Sequence, residues 1–239
     1  MTDHIRKIQD LRPGDIMFGP IGGFVGAGVA AGQLLVDGGF RVGKLSVRHV
    51  GIVTEAHPGT RYDDPAYPYG ITDTFKLVQA MPGGAEEITM TYDKHWTPRH
   101  AYVRLPEDYP GQAGDAATIA KIMANWKVGY SFASYAALVA WRWGLSTPKL
   151  EAWINRRQSA IRYFTTQGNL ADIRLPVEAI CSVLVDQAWS MTGKKIFEDG
   201  RPHQCVTPSQ LGARLLTGME GVTWGFPIDY LDPDALGML

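Results

Sequence analysis

The chain has 239 residues, of which 45% are hydrophobic and 20% charged, and its formal net charge is −1. This length fits one large domain with a sizeable core, and the composition is that of an ordinary globular protein. No basic field or polybasic run is present to attract nucleic acid or an anionic membrane, so we expect neither as a partner.

The cysteine and histidine content argues against a scaffold of disulfides or metal ions. The chain holds two cysteines, Cys181 and Cys205, and six scattered histidines without a CxxC pair. Two cysteines allow one bridge but do not require it. Zinc sites need clustered ligands at short spacing. We therefore expect no structural metal and no cofactor.

The beginning of the chain, MTDHIRKIQDLRPGD, lacks the short apolar core and cleavage site of a signal peptide. This leaves a cytoplasmic location and delivery inside a particle both open. The apolar segment 16–36 is long enough to span a bilayer as a helix. Its glycines, its proline and the flanking Asp15 and Asp37 favour instead a short strand followed by a buried helix at about 22–37.

The first half of the chain predicts strands. A Pro13-Gly14 turn precedes a short strand over 16–18, and β-branched or alternating segments predict four more strands. These four lie at 47–54, 73–80, 88–92 and 101–105, and the short turns between them favour an antiparallel meander.

The second half predicts helices from apolar residues at helical spacing. The helices are expected at 112–126, 130–143, 150–164 and 176–191, and a short one opens at Thr207-Pro208-Ser209. In the fourth helix, Pro176 suits the first turn and Gly193 the stop. The expected fold is therefore α+β, a single domain over residues 1–239.

Cys181 and His49 are the residues with the most distinctive chemistry. The predicted helix places Cys181 near a helix N-terminus, which favours the thiolate, the nucleophile of acyl transfer. His49 lies in a predicted buried strand, where a rigid imidazole could take up the thiol proton. Each residue alone also fits a buried core position. His203 beside Cys205 is a weaker rival pair, because it lies in a loop.

Gln79 is the candidate third group. An antiparallel neighbour of the histidine strand could place its amide beside the imidazole and fix the ring's tautomer and orientation. A polar residue on the wet face of a strand is the alternative interpretation.

Taken together, five segments carry a resemblance. In chain order they are LRPGDI, RHVGIV, LVQAMPGG, ICSVLVDQAW and VTPSQL. The set resembles the landmarks of the circularly permuted NlpC-like (YiiX/YaeF-like) branch of the papain superfamily, in which the histidine precedes the cysteine. The resemblance covers the chain from Leu11 to about Leu215 and implies a permuted papain-like fold, an antiparallel sheet with helices packed against it. Residues 143–174 look like a helical insertion into that fold.

Carried over residue by residue, the resemblance implies that Cys181 is the nucleophile, His49 the base and Gln79 the orienting group. Many relatives have a carboxylate in place of the amide, so Glu55 is an alternative for that role. Tyr130 and Ser182 are candidate donors to the substrate or the oxyanion.

The resemblance implies a cysteine peptidase or amidase that acts through an acyl-enzyme, with a cell-wall peptidoglycan peptide as the preferred substrate. A lipid or ester acyl hydrolase or acyltransferase of the same fold remains an alternative. Another is a structural component of a larger particle, such as a phage tail, that retains the fold and binds protein partners. We expect no membrane span and no nucleic-acid partner.

Overall fold

A computed structural model describes residues 10–20, 41–42, 45–61, 71–91, 100–130, 158–164, 170–176, 178–201 and 203–225. The described strands are β1 (Ile16–Gly19), β2 (Arg41–Val42), β3 (Leu45–Ser46), β4 (His49–Arg61), β5 (Ile71–Met81), β6 (Gly84–Thr91), β7 (Ala101–Arg104), β8 (Gly129–Tyr130), β9 (Gln158–Phe164), β10 (Leu170–Pro176), β11 (Glu178–Ala179) and β12 (Thr223–Gly225). The described α-helices are α1 (Gln112–Asn125), α2 (Cys181–Met191) and α3 (Pro208–Thr217), and a 3-10 helix covers His203–Cys205.

The main sheet has six strands in the order β12-β7-β1-β4-β5-β6, and all its pairings are antiparallel. Strands β4, β5 and β6 form the expected meander. The fourth expected member, β7, does not follow β6 but pairs with β1 on the other side of β4. The architecture is α+β, with an antiparallel sheet and helices packed on it.

The turn before β1 depends on a glycine. Gly14 has φ of +94°, and its N–H donates to the carbonyl of Val53 while the N–H of Val53 donates to the carbonyl of Asp15. A Cβ on Gly14 would collide with the backbone and side chain of Ala113 in α1. Glycine therefore permits both the left-handed backbone and the close approach of the helix.

Strand alternation divides the apolar residues between the two faces of the sheet. One face carries Val50, Ile52 and Val78 and belongs to the larger core, to which α1, α2 and α3 contribute side chains such as Ile119, Trp189 and Leu211. The other face carries a smaller cluster, in which Phe75 and Tyr102 meet edge to face with ring centroids 5.8 Å apart. Burial of these side chains is the main source of stability.

Several helix predictions need correction. The helix at 112–126 is confirmed as α1, and α3 begins after Thr207 as expected. The helix expected over 150–164 is wrong where it is described, because 158–164 is strand β9, paired with β10. Local periodicity does not reveal a strand whose partner lies later in the chain. Tyr130 belongs to β8 rather than to a helix start.

Other expected segments lie outside the described residues. They include the helix at about 22–37, most of the helix at 130–143 and residues 143–157 of the expected helical insertion. The described part of that insertion is the β9–β10 hairpin. Among the described helices, none is both long and apolar enough to cross a membrane.

A buried ion pair joins the β1 turn to β7. Asp15 is 2% exposed, and its carboxylate accepts bonds from Arg104 Nε at 2.9 Å and Arg104 Nη2 at 2.7 Å. The backbone N–H of Arg12 adds a third bond at 2.8 Å. Burial raises the pKa of Asp15, and the Arg104 guanidinium opposes that rise. The two-pronged contact fixes the beginning of β1 against its neighbour.

Replacing Asp15 tests this connection. Asp15→Ala leaves Arg104 partly buried without its carboxylate, so we expect the free energy of unfolding to fall by about 3 kcal/mol. Urea denaturation followed by circular dichroism measures the change. The control is Asp108→Ala, which removes an exposed partner of Lys194. It should cost at most about 0.5 kcal/mol. Equal losses in the two variants would contradict the role given to Asp15.

Candidate active site

Cys181 is the first residue of α2. Strand β11 pairs in parallel with β8, which places Ala179 beside Tyr130, and the extended Ile180 then caps the helix with φ of −89° and ψ of 167°. The helix therefore begins five residues later than the sequence suggested, because Pro176 ends β10 instead of opening the helix. The later start places the thiol directly at the helix N-terminus.

The sulfur of Cys181 faces three backbone N–H groups, those of Val50, Ser182 and Cys181 itself, and each lowers its pKa. Burial outweighs them, because the side chain is 1% exposed, and raises the pKa of Cys181 to about 11. Burial therefore opposes the thiolate that the helix N-terminus is expected to favour. Desolvation of a fully buried thiol exceeds what backbone dipoles supply here.

His49, the first residue of β4, is held by a buried hydrogen bond. Its Nε2 lies 2.7 Å from Oε1 of Gln79 in β5. The register pairs Gly51 with Gln79, so His49 is the diagonal neighbour of Gln79 on the same face of the sheet. Because Gly51 has no side chain, nothing projects from the position opposite Gln79. A Cβ there would approach the side chain of Leu77 to 2.9 Å.

The other ring nitrogen of His49 is unoccupied. Within the described part of the chain, Nδ1 is buried and has no hydrogen-bond partner. Burial lowers the pKa of His49, and the bond to Gln79 and the charge of Glu86 oppose that change. An amide oxygen only accepts, so Nε2 carries the proton in the neutral ring and Nδ1 has a free lone pair.

The Cys181 sulfur lies close to the backbone of the histidine strand. The N–H of Val50, which faces the sulfur, belongs to the peptide that links His49 to Val50. The sulfur therefore lies against the backbone of His49. The described residues contain no hydrogen bond between the thiol and the imidazole. The arrangement brings a neutral thiol and a neutral imidazole with a free nitrogen to the same end of β4.

Glu86 is a site residue that the sequence motifs did not indicate. Glu86 on β6 lies directly opposite Gln79 on β5, and its Oε1 accepts a 3.0 Å hydrogen bond from Nε2 of Gln79. The hairpin that precedes it, with Met81 opposite Gly84, sets this register. Gly84 has φ of +109°, which favours glycine. The Pro82-Gly83-Gly84 turn was thus the available signal, because a two-residue tip places residue 86 opposite residue 79.

Glu55, the alternative orienting group, binds elsewhere. A register shift after Val53 pairs Glu55 with Lys76 across β4 and β5. Its carboxylate contacts Lys76 and His57, each at 2.9 Å, and also Lys121 of α1. Hydrogen bonds from Lys121, Lys76 and His57 lower the pKa of Glu55 to about 2. In the described structure it is Gln79 that contacts His49.

Ser182 and Tyr130 both lie near the start of α2. The Ser182 hydroxyl is fully buried and donates to the carbonyl of Val206 at 2.6 Å, so its backbone N–H is the group that faces the sulfur. Tyr130 is half-buried and packs against the larger core. The structure therefore favours a backbone donor over the hydroxyl at Ser182.

His203, the histidine of the rival pair, contacts a carboxylate on α2. His203 Nδ1 lies 2.5 Å from Oδ2 of Asp186, a carboxylate on α2. Cys205 and Cys181 are both buried, and neither forms a disulfide bond within the described part of the chain. Among the described residues, no group of three or more histidine, cysteine or acidic side chains is arranged to hold a metal ion.

The raised pKa of Cys181 predicts a pH effect on stability. In the unfolded chain the thiol ionises near pH 9, and in the folded protein near 11, so unfolding releases a proton between these values. The free energy of unfolding should therefore fall as pH rises from 9 to 11, by about 2 to 3 kcal/mol from this group. Below pH 9 the contribution of this group is fully present and does not change with pH.

Urea denaturation of the wild type and Cys181→Ala at pH 8 and pH 11 measures this contribution. The alanine variant should be less sensitive to alkali than the wild type, whereas Cys205→Ala should retain the contribution of Cys181. Identical alkaline losses in the wild type and Cys181→Ala would show that the thiol is not shielded as described.

Comparison with known proteins gives no family for this chain. No protein-family model matches it, and no curated protein matches it significantly.

Proposed function

We propose that the protein is a cysteine hydrolase with a permuted papain-like arrangement that cleaves an amide bond through an acyl-enzyme. One observation carries the proposal. His49 has one nitrogen bound to Gln79 and the other buried with no hydrogen-bond partner among the described residues, and the thiol at the start of α2 lies against the His49 backbone. A third group that fixes one imidazole nitrogen leaves the other for proton transfer with a nucleophile.

In the proposed reaction, Cys181 Sγ attacks the amide carbonyl carbon while its proton moves to His49 Nδ1. The carbonyl electron pair moves to the oxygen, and the backbone N–H groups of Cys181 and Ser182 are the proposed oxyanion donors. Removing one such donor costs about 3 to 4 kcal/mol in well-studied hydrolases. When the carbonyl re-forms, the C–N bond breaks and the leaving amine takes the proton from Nδ1.

The second half of the cycle regenerates the thiol. Water gives a proton to Nδ1 and attacks the thioester carbonyl. The C–S bond then breaks, the acid product leaves, and the sulfur regains the proton from the imidazolium. Gln79 Oε1 accepts from Nε2 throughout, so the charged ring keeps its orientation.

The electrostatics favour proton transfer that accompanies attack over a permanent ion pair. Burial raises the pKa of Cys181 and lowers that of His49, so both changes favour the neutral pair at rest. The charge of Glu86 acts in the opposite direction on His49. The imidazolium that forms during the reaction therefore has a nearby negative charge, although a carboxylate does not contact it directly.

The chain order supports the permuted arrangement. The histidine strand β4 and the Gln79 strand β5 come first, and the cysteine helix α2 comes late. We propose a cell-wall peptide amide as the substrate, following the resemblance of the motifs. Hydrolysis of acyl esters instead would assign the protein to the lipid or ester branch of the same mechanism.

A protein that retains this fold without catalysis is the second candidate. The observation that favours it is the resting state of Cys181, which is almost completely buried and has a pKa of about 11. A binding or structural role, for instance in a phage tail, needs the packing around α2 but no proton transfer. The two candidates therefore differ in whether Cys181 changes its covalent state.

Single substitutions separate the two candidates. Cys181→Ser and His49→Ala should each lower kcat/KM on a peptidoglycan peptide by at least about 10³-fold, because a nucleophile and its base act as a unit. Release of the free amine is the measurement, with acyl esters tested in parallel. The matched control is Cys205→Ser, which alters the other buried thiol and should leave kcat/KM within about threefold of the wild type.

Two results would count against catalysis at this site. One is an active protein whose turnover survives in Cys181→Ser. The other is a folded wild type that cleaves neither peptide amides nor esters, which favours the non-catalytic candidate.

A further inference from the structure

Three polar side chains on three neighbouring strands are connected by two consecutive hydrogen bonds. His49 is on β4, Gln79 on β5 and Glu86 on β6, with successive contacts of 2.7 Å and 3.0 Å. The first two residues are 6% and 9% exposed, whereas Glu86 is exposed. This series of hydrogen bonds therefore extends from the buried imidazole to a carboxylate at the surface.

The hydrogen-bonding capacities of these groups allow one arrangement only. A carboxylate accepts and does not donate, so the NH₂ group of Gln79 must face Glu86. The amide oxygen then faces His49 and can only accept, so Nε2 must carry the ring proton. The reversed amide would set its oxygen against a carboxylate oxygen, and its NH₂ would donate to Nε2, which would move the ring proton to Nδ1.

We propose that Glu86 is a positioning residue that fixes the tautomer of His49 through the amide of Gln79. It does not touch the thiol or the proposed reaction centre. Its effect is to keep the lone pair on Nδ1, the ring nitrogen that does not contact Gln79. The catalytic consequence rests on the proposed function, whereas the tautomer itself does not.

Glu87 provides the contrast that makes the assignment specific. It is the next residue of β6, and its carboxylate accepts from the Thr54 hydroxyl at 2.6 Å and lies 3.7 Å from Lys121 Nζ. Strand alternation sends these two neighbouring carboxylates to opposite faces. Glu87 therefore matches Glu86 in type, strand and exposure, but its described hydrogen bond is to Thr54 and not to Gln79.

The test is the tautomer of His49, read from long-range ¹H–¹⁵N spectra of the full chain labelled with ¹⁵N-histidine. The wild type and Glu87→Ala should show the proton on Nε2. In Glu86→Ala the amide can rotate, and the ratio of the Nδ1–H to the Nε2–H form should rise by about tenfold, as expected for the loss of a charge-assisted bond. Glu86→Gln, whose own carbonyl can still accept from Gln79, should fall between the two.

A double variant gives the sharpest check. Gln79→Glu combined with Glu86→Ala places an acceptor-only group directly on Nε2 and should restore the wild-type tautomer. A merely structural role for Glu86 predicts no such restoration. A wild-type tautomer in both Glu86→Ala and Glu86→Gln would overturn the proposal, as would an equal change in Glu87→Ala.

The positioning role of Glu86 and the proposed hydrolase function can be tested separately. If the protein hydrolyses the peptide, Glu86→Ala should lower kcat by about tenfold with little change in KM, because the substrate contacts are untouched. A tautomer change in a protein without hydrolytic activity supports the positioning role and overturns the proposed function. Normal activity with an unchanged tautomer supports the function and overturns the positioning role.

Discussion

The hydrogen bond between His49 Nε2 and Gln79 Oε1 determines what the rest of the site can do. It is 2.7 Å long and buried, and it commits one of the two nitrogens of the imidazole. The bond depends on the β4–β5 register, which makes His49 the diagonal neighbour of Gln79 and places Gly51 opposite the amide. A shift of one residue would send either side chain to the other face of the sheet.

A second strand pairing places the start of the cysteine helix. Strand β11 lies beside β8, and the chain turns into α2 at Cys181, so the thiol meets the peptide between His49 and Val50. Dense packing around this point raises the pKa of Cys181 and lowers that of His49, so burial favours the neutral form of each group. In the proposed mechanism the charged pair is therefore a transient species that forms as the sulfur attacks. The polar chain to Glu86 supplies the nearby negative charge that such an imidazolium needs.

Two carboxylates, one on β4 and one on the edge strand β6, have different partners. Glu55 lies beyond a register shift in β4 and is paired with lysines, whereas Glu86 lies opposite Gln79. Residue type alone made Glu55 the more obvious acid for His49, because it lies on the histidine strand. The strand register, and not the residue type, determines which carboxylate is connected to the imidazole by hydrogen bonds.

The sequence predicted the central strands and α1 well, because their apolar residues repeat with a clear period. It also singled out His49, Gln79 and Cys181, and the hydrogen bond between the first two follows from strand pairing. Strands β9 and β10 escaped prediction because each is stabilised by the other rather than by a local pattern. The role of Glu86 required the register of a hairpin, and the resting charge of Cys181 required its burial, neither of which a linear pattern contains.

The central claim is that Cys181 carries the acyl group during turnover. The most direct measurement is mass spectrometry of protein quenched with acid within the first turnovers on an amide or ester substrate, followed by peptide mapping. The proposed mechanism predicts the mass of the acyl group on the peptide that contains Cys181, and its absence from Cys205. Hydrolysis that proceeds with the acyl group on another residue, or with no adduct at Cys181 even when water attack is slowed, would contradict it.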